Sequence, residues 1–158
     1  MKIKMHWPKS LAVAAVVAMV SANASAEVVS AVTANGRYPL APAPLPVPGM
    51  TTPAFGHGGG QLVATYTAEC FAEVAAPYGP ARVDVIIVVQ DEAGNNLATL
   101  SPTERQSYFC SSTGAPATFS TTGVGTLPPG TYRVVVRGSL LNDRASAWMG
   151  GRSLVVLR

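Results

Sequence analysis

The chain has 158 residues, 48% of them hydrophobic and only 12% charged, with a formal net charge of +3. Its Lys residues, Lys2, Lys4 and Lys9, all lie at the very start, so the remainder balances eight Arg against eight Asp and Glu. A neutral body with singly scattered Arg lacks the clustered basic patch that nucleic acid requires, and nucleic-acid binding is set aside.

Residues 1–26 read as a cleaved signal peptide. The three Lys form a positive start, Leu11 to Val20 an apolar run of ten residues, and Ala24-Ser25-Ala26 a small-residue cleavage site. Ten apolar residues fall short of the about 20 that span a bilayer. The mature chain is therefore expected to begin at Glu27, to have no membrane span, and to be exported to the periplasm, the cell surface or the medium. The 132 residues that remain suit one domain.

Residues 27–60 read as a β-prone run followed by a linker. Glu27-Val-Val-Ser-Ala-Val-Thr33 is β-prone, then six prolines fall between Pro39 and Pro53 and four glycines between Gly56 and Gly60. Proline at this density favours extended polyproline II and cannot donate to a ladder, and glycines add a hinge. Within this stretch Phe55-Gly-His-Gly-Gly-Gly60 resembles the oxyanion loop of lipases and esterases. The elbow G-x-S-x-G is absent, however, and His57 is the single His after the signal, so the run is expected to be linker.

Residues 61–158 carry the period of two that marks half-buried strands. Leu62, Ala64, Tyr66, Ala68, Cys70, Ala72 and Val74 share one face of the first strand. Arg82 to Gln90 forms a second, with apolar residues on both faces, as in a central strand. Asp91-Glu-Ala-Gly-Asn-Asn96 is turn chemistry before a return strand at Leu97–Leu100. Short strands are expected near Tyr108–Cys110 and Ala117–Thr121. A turn at Pro129-Gly130 is expected to feed a strand through Tyr132, Val134 and Val136, and the last strand, Ser153–Leu157, to follow a Gly150-Gly151 break. The fold class that follows is all-β: a single antiparallel sandwich of about seven strands. Cys70 and Cys110 are the only cysteines, and export favours a disulfide between them.

Leu127, Gly130 and Tyr132 in "LPPGTY" resemble the tyrosine corner of immunoglobulin-like and fibronectin type III-like sandwiches. The resemblance implies a Tyr132 hydroxyl bonded to backbone a few residues upstream, fixing an arch between sheets. Bacterial pre-peptidase C-terminal domains share "PGTY" followed by alternating Val. The antibody Cys two residues after the corner Tyr is here Val134, and no Trp lies between the cysteines, so a jelly roll stays open as the alternative topology.

Chemistry-bearing clusters are sparse. Glu69 and Glu73, four residues apart on a strand, stand about 13 Å apart, beyond the about 5–9.5 Å of a glycosidase pair. "DEAGNN" lacks the spacing and closing Glu of an EF-hand loop. No catalytic residue, metal site or cofactor is assigned. The reading is a non-catalytic binding or display module whose partner is a protein or a glycan. The alternative is a structural subunit of a filament or coat that self-assembles through its N-terminal strand. Val28, Val29 and Val32 form the assembly candidate; Leu140, Leu141, Trp148 and Met149, apolar for a connection, form the loop-borne candidate surface.

Overall fold

The computed structural model describes residues 26–73, 81–101, 103, 108–111, 115–142 and 145–158. Residues 1–25 of the signal-peptide reading, and Val74 of the expected first strand, lie outside these residues. Within them every regular element is a strand: β1 Val28–Ala34, β2 Tyr38–Pro39, β3 Leu45–Thr51, β4 Phe55–Glu73, β5 Arg82–Gln90, β6 Asn96–Thr99, β7 Tyr108–Ser111, β8 Ala117–Leu140 and β9 Ser146–Leu157. The all-β expectation holds, with nine strands in place of seven.

All pairs are antiparallel, in the order β1-β9-β4-β8-β5-β6, with β2 beside β9, β3 beside β8 and β7 beside β5. The sandwich is made by β8. Its first half pairs with β4, from Cys70↔Ala117 to Phe55↔Tyr132, and its second half with β5, from Gln90↔Arg133 to Val83↔Leu140. One long strand therefore belongs to both layers. The inward residues of β4 (Leu62, Ala64, Tyr66, Ala68, Cys70, Ala72) and of β5 (Val83, Val85, Ile87, Val89) are buried and face one core. Burying a side chain of this size stabilises by about 1.5–3 kcal/mol, which is why the alternation fixes the register.

The core is joined across the layers. Cys70 on β4 is bridged to Cys110 on β7, as expected. The Tyr66 ring lies 5.3 Å from Phe109, which lies 6.0 Å from Phe119. The buried Tyr66 hydroxyl donates to Met149 Sδ at 3.1 Å. Burial pushes its pKa far above the ordinary range, with Arg152 pulling weakly the other way. Small residues make room: a Cβ on Gly123 would come within 2.7 Å of Leu100 Cβ, and one on Gly125 as close to its Cδ2. Leu100 is fully buried in that notch.

Two expectations are corrected. Residues 38–60 are not a linker but part of both layers. Tyr38↔Met149 and Pro39↔Trp148 place β2 on β9, Leu45↔Gly138 places β3 on β8, and Phe55–Gly60 is the first third of β4. The boundary expected at residue 60 thus falls inside a strand. Prolines are tolerated because, among the described residues, β3 pairs with β8 alone and exposes Pro46 and Pro48, while Val47 and Met50 reach the core. Thr52 pins the end: its N–H donates to Val134 O, and its Oγ1 accepts from Val134 N–H, both at 3.0 Å.

The second correction is the expected turn at Pro129-Gly130, which is strand paired to β4. Gly58↔Pro129 and His57↔Gly130 are ladder partners, and a Cβ on Gly59 would press to 3.1 Å on Pro129 Cδ. The glycines give the proline rings room. The Tyr132 hydroxyl does donate to Pro128 O at 2.9 Å. It does so within β8, where the strand passes from its pairing with β4 to its pairing with β5 at Tyr132–Arg133.

Half-buried Asp84 on β5 has an Oδ1 without a hydrogen-bond partner, and burial raises its pKa above the ordinary 3.8. The folded state then binds more protons than the unfolded one just above 3.8, so this group adds stability as pH falls through its folded pKa. Asp84→Asn is expected to raise the melting temperature at pH 7 slightly, by about 2 °C. Thermal scans of both chains from pH 7 to 4 should show the gap closing as the wild-type carboxyl takes up its proton. A gap that widens instead contradicts the assignment.

Candidate functional site

The outer face of the β1-β9-β4-β8 layer is the surface on which sequence and register combine. Because strand side chains alternate, the inward set of β4 forces Val63, Thr65, Thr67, Glu69 and Phe71 outward, and all five are half-buried. Register then aligns them into rows. Thr33↔Ser153, Ser153↔Thr67 and Thr67↔Ser120 make one hydroxyl row across four strands. Thr65 and Thr122 share the next row with Ala31 and Val155. Thr65 Oγ1 and Thr122 Oγ1 lie 3.0 Å apart, and Thr67 Oγ1 donates to Ser120 Oγ at 3.0 Å. Both rows are uncharged.

One row in the other direction the surface changes. Between Ala68↔Arg152 and Cys70↔Met149 the register of β4 on β9 slips, so Gly150 and Gly151 both stand opposite Glu69. The expected break is thus a bulge within β9. Glu69 lies over the bare backbone: a Cβ on Gly150 would collide with its Oε2. Beyond it Phe71↔Trp148 is a cross-strand pair with stacked rings 5.7 Å apart, and Arg37 Cζ sits 4.4 Å from the Trp148 ring centroid. The sequence yields hydroxyls, a glycine floor, a carboxylate and an aromatic pair along one face.

Arg152 anchors this floor from beneath. It is buried, and its Nη1 lies 2.9 Å from Gly36 O and 3.0 Å from both Met149 O and Gly150 O. One guanidinium therefore ties the bulge to the turn between β1 and β2.

The residues singled out from sequence are not brought together. Leu140 and Met149 are core residues, 3% and 0% exposed, and Leu141 is an isolated exposed side chain. Trp148 alone of that group reaches the face. Val29 and Val32 pack on the core from β1, leaving Val28 exposed. Phe71, Glu69 and the hydroxyl rows were missed as a site, since their alignment depends on pairings between distant segments.

At the opposite end of the layer an open cleft of about 520 Å³ is lined by His57, Gly58, Gly59, Gln61 and Arg158. His57 is buried against Tyr132, with ring centroids 6.2 Å apart, and Nε2 is 3.4 Å from Gly60 O. Arg158 is held by Glu27 at 2.9 Å and donates to Gly56 O. These side chains close the sandwich end. Among the described residues no three His, Cys, Asp or Glu converge as a metal site.

The sequence matches no protein-family model and no curated protein. Among solved structures it is similar to the CBM22-1 xylan-binding domain of Xyn10C from Paenibacillus barcinonensis. That similarity is 10% in identity, with a TM-score of 0.34, over 78% of this chain and 83% of that one. It is too distant to speak for a ligand.

Proposed function

We propose that the protein is an exported, non-catalytic binding module that takes an extended polyhydroxylated chain, a glycan, across the outer face of the β1-β9-β4-β8 layer. The observation that carries this reading is the sequence of groups along the face. Hydroxyl rows lead to Glu69 over the Gly150-Gly151 floor and end at the Phe71–Trp148 pair. A sugar ring offers an apolar C–H face and equatorial hydroxyls. Aromatic rings complement the first, and a carboxylate and Ser/Thr hydroxyls the second. The low charge of the rows suits a neutral polymer. A bridged Cys70–Cys110 pair agrees with export.

The test is affinity electrophoresis and pull-down against a panel of neutral soluble and insoluble polysaccharides, with circular dichroism to verify folding. At least one polysaccharide should retain the wild-type chain. Trp148→Ala and Glu69→Gln should each weaken retention about tenfold or more, corresponding to about 1.4 kcal/mol. Retention by no polysaccharide, or retention unaffected by both changes, would remove the reading.

A further inference from the structure

From the edges of the sheet we infer that β1 is a self-association edge, pairing antiparallel with β1 of a second copy about a two-fold axis at Val32. The inference does not rest on the glycan reading.

Exposed strand edges are usually blunted by shortness, proline or charge. Among the described residues the other edges carry such devices, except the free side of the first half of β8, which is crossed by the Ser101↔Val124 bridge and ends at Pro128-Pro129. β2 has two residues and contains Pro39, β6 and β7 have four each, and β3 carries Pro46 and Pro48. β1 has a bulge between Val28 and Ser30, but beyond it Ser30–Ala34 runs on with neither proline, glycine nor charge. Among the described residues it pairs with β9 alone, and Gly49 of β3 approaches it through the inward Cβ of Ala34, leaving the outer edge clear.

The register specifies how two copies would meet. Glu27 and Arg158 exchange both backbone hydrogen bonds, so they form a hydrogen-bonded pair. Alternation past the bulge between Val28 and Ser30 makes Val32↔Leu154 and Ala34↔Arg152 hydrogen-bonded pairs as well. Ala31 and Thr33 therefore turn their N–H and C=O groups away from β9, toward the edge. A two-fold axis at Val32 sets Ala31 of each copy against Thr33 of the other, and the four groups of each side meet their complements. Like charges meet nowhere along the strand, and both small side chains, Ala31 and Thr33, are exposed. The paired layers would carry the hydroxyl rows on one continuous face, giving two binding sites in one plane and the avidity that follows.

The experiment is size-exclusion chromatography with light scattering on the chain from Glu27 to Arg158, without any glycan, over a wide concentration range. The expected result is a concentration-dependent shift from monomer to dimer mass. Ala31→Pro removes an N–H that faces away from β9, so the fold should persist while dimerisation weakens about a hundredfold. Ala31→Lys, which leaves the backbone donor in place, should weaken it through two Lys brought together at the axis. Circular dichroism and melting curves verify that both variants fold. Monomer mass at every concentration, or a dimer undiminished in both folded variants, would overturn the inference and leave the glycan reading standing.

Discussion

A Cys70→Ala/Cys110→Ala double variant is expected to lose about 4 kcal/mol of stability. The bridge spans 40 residues of sequence. Releasing a loop of that length returns about 4 kcal/mol of chain entropy to the unfolded state. The native-state consequence is local. β7 has four residues, and its ladder to β5 shifts register between Val83↔Cys110 and Asp84↔Tyr108. Apart from the bridge, what fixes it to the opposite layer is Phe109, packed between Tyr66 and Phe119. Loss of the bridge should lower the melting temperature by about 14 °C for a domain of this size. It should also lower hydrogen-exchange protection in β7 before that in β4 or β8. Thermal scans of the oxidised, reduced and double-variant chains check this. Equal melting temperatures would mean that the two layers hold β7 without the bridge.

The layers were legible because alternation is a pattern within a few residues, and the bridge because the chain has only two cysteines to pair. The alternation of Leu62 to Ala72 names its own inward face, and that of Val83 to Val89 does the same. Asp91 through Asn96 likewise forms its turn from local chemistry: Asn95 N–H donates to Asp91 Oδ1 at 2.8 Å, and Gly94 takes a φ of 85°. What stayed hidden depends on partners far apart in sequence. Gly58 and Pro129 are each signals of a break in isolation, and only opposite one another do they make a ladder. The expected strands at Ala117–Thr121 and Tyr132–Val136 are one strand for the same reason, since β4 is long enough to pair with the chain between them. The candidate site shares this origin. Thr33, Ser153, Thr67 and Ser120 come from four strands, and Phe71 meets Trp148 across 77 positions of sequence; only the register makes them neighbours. Prolines in β3 misled for a different reason: the rule against proline in ladders concerns central strands, and β3 lies at an edge.

Replacing Arg152 by Met is expected to cost about 3 kcal/mol, or about 10 °C in melting temperature. Exchanging a buried charge for an apolar side chain is often harmless where the charge merely faces another charge, because the desolvation cost disappears with the pair. Arg152 is in another situation. Its Nη1 reaches three backbone carbonyls, of Gly36, Met149 and Gly150. Nη1 has two protons for these three acceptors, so one is shared, and a methionine would serve none. Each buried carbonyl left without a donor costs about 1–3 kcal/mol, partly offset by burying a thioether where a guanidinium lay. The carbonyls of Met149 and Gly150 belong to the bulge that floors the proposed binding face, and that of Gly36 to the turn leading out of β1. Arg152→Met should therefore loosen the β9 bulge and the end of β1 together, weakening glycan retention and dimerisation in one variant. Arg152→Lys supplies three protons on a single nitrogen and should recover part of the stability, but without the planar geometry that sets the bulge. Denaturant titrations of the three chains decide the matter. A Met variant as stable as wild type would show that the bulge is fixed by its glycines alone, with the guanidinium filling space beneath it.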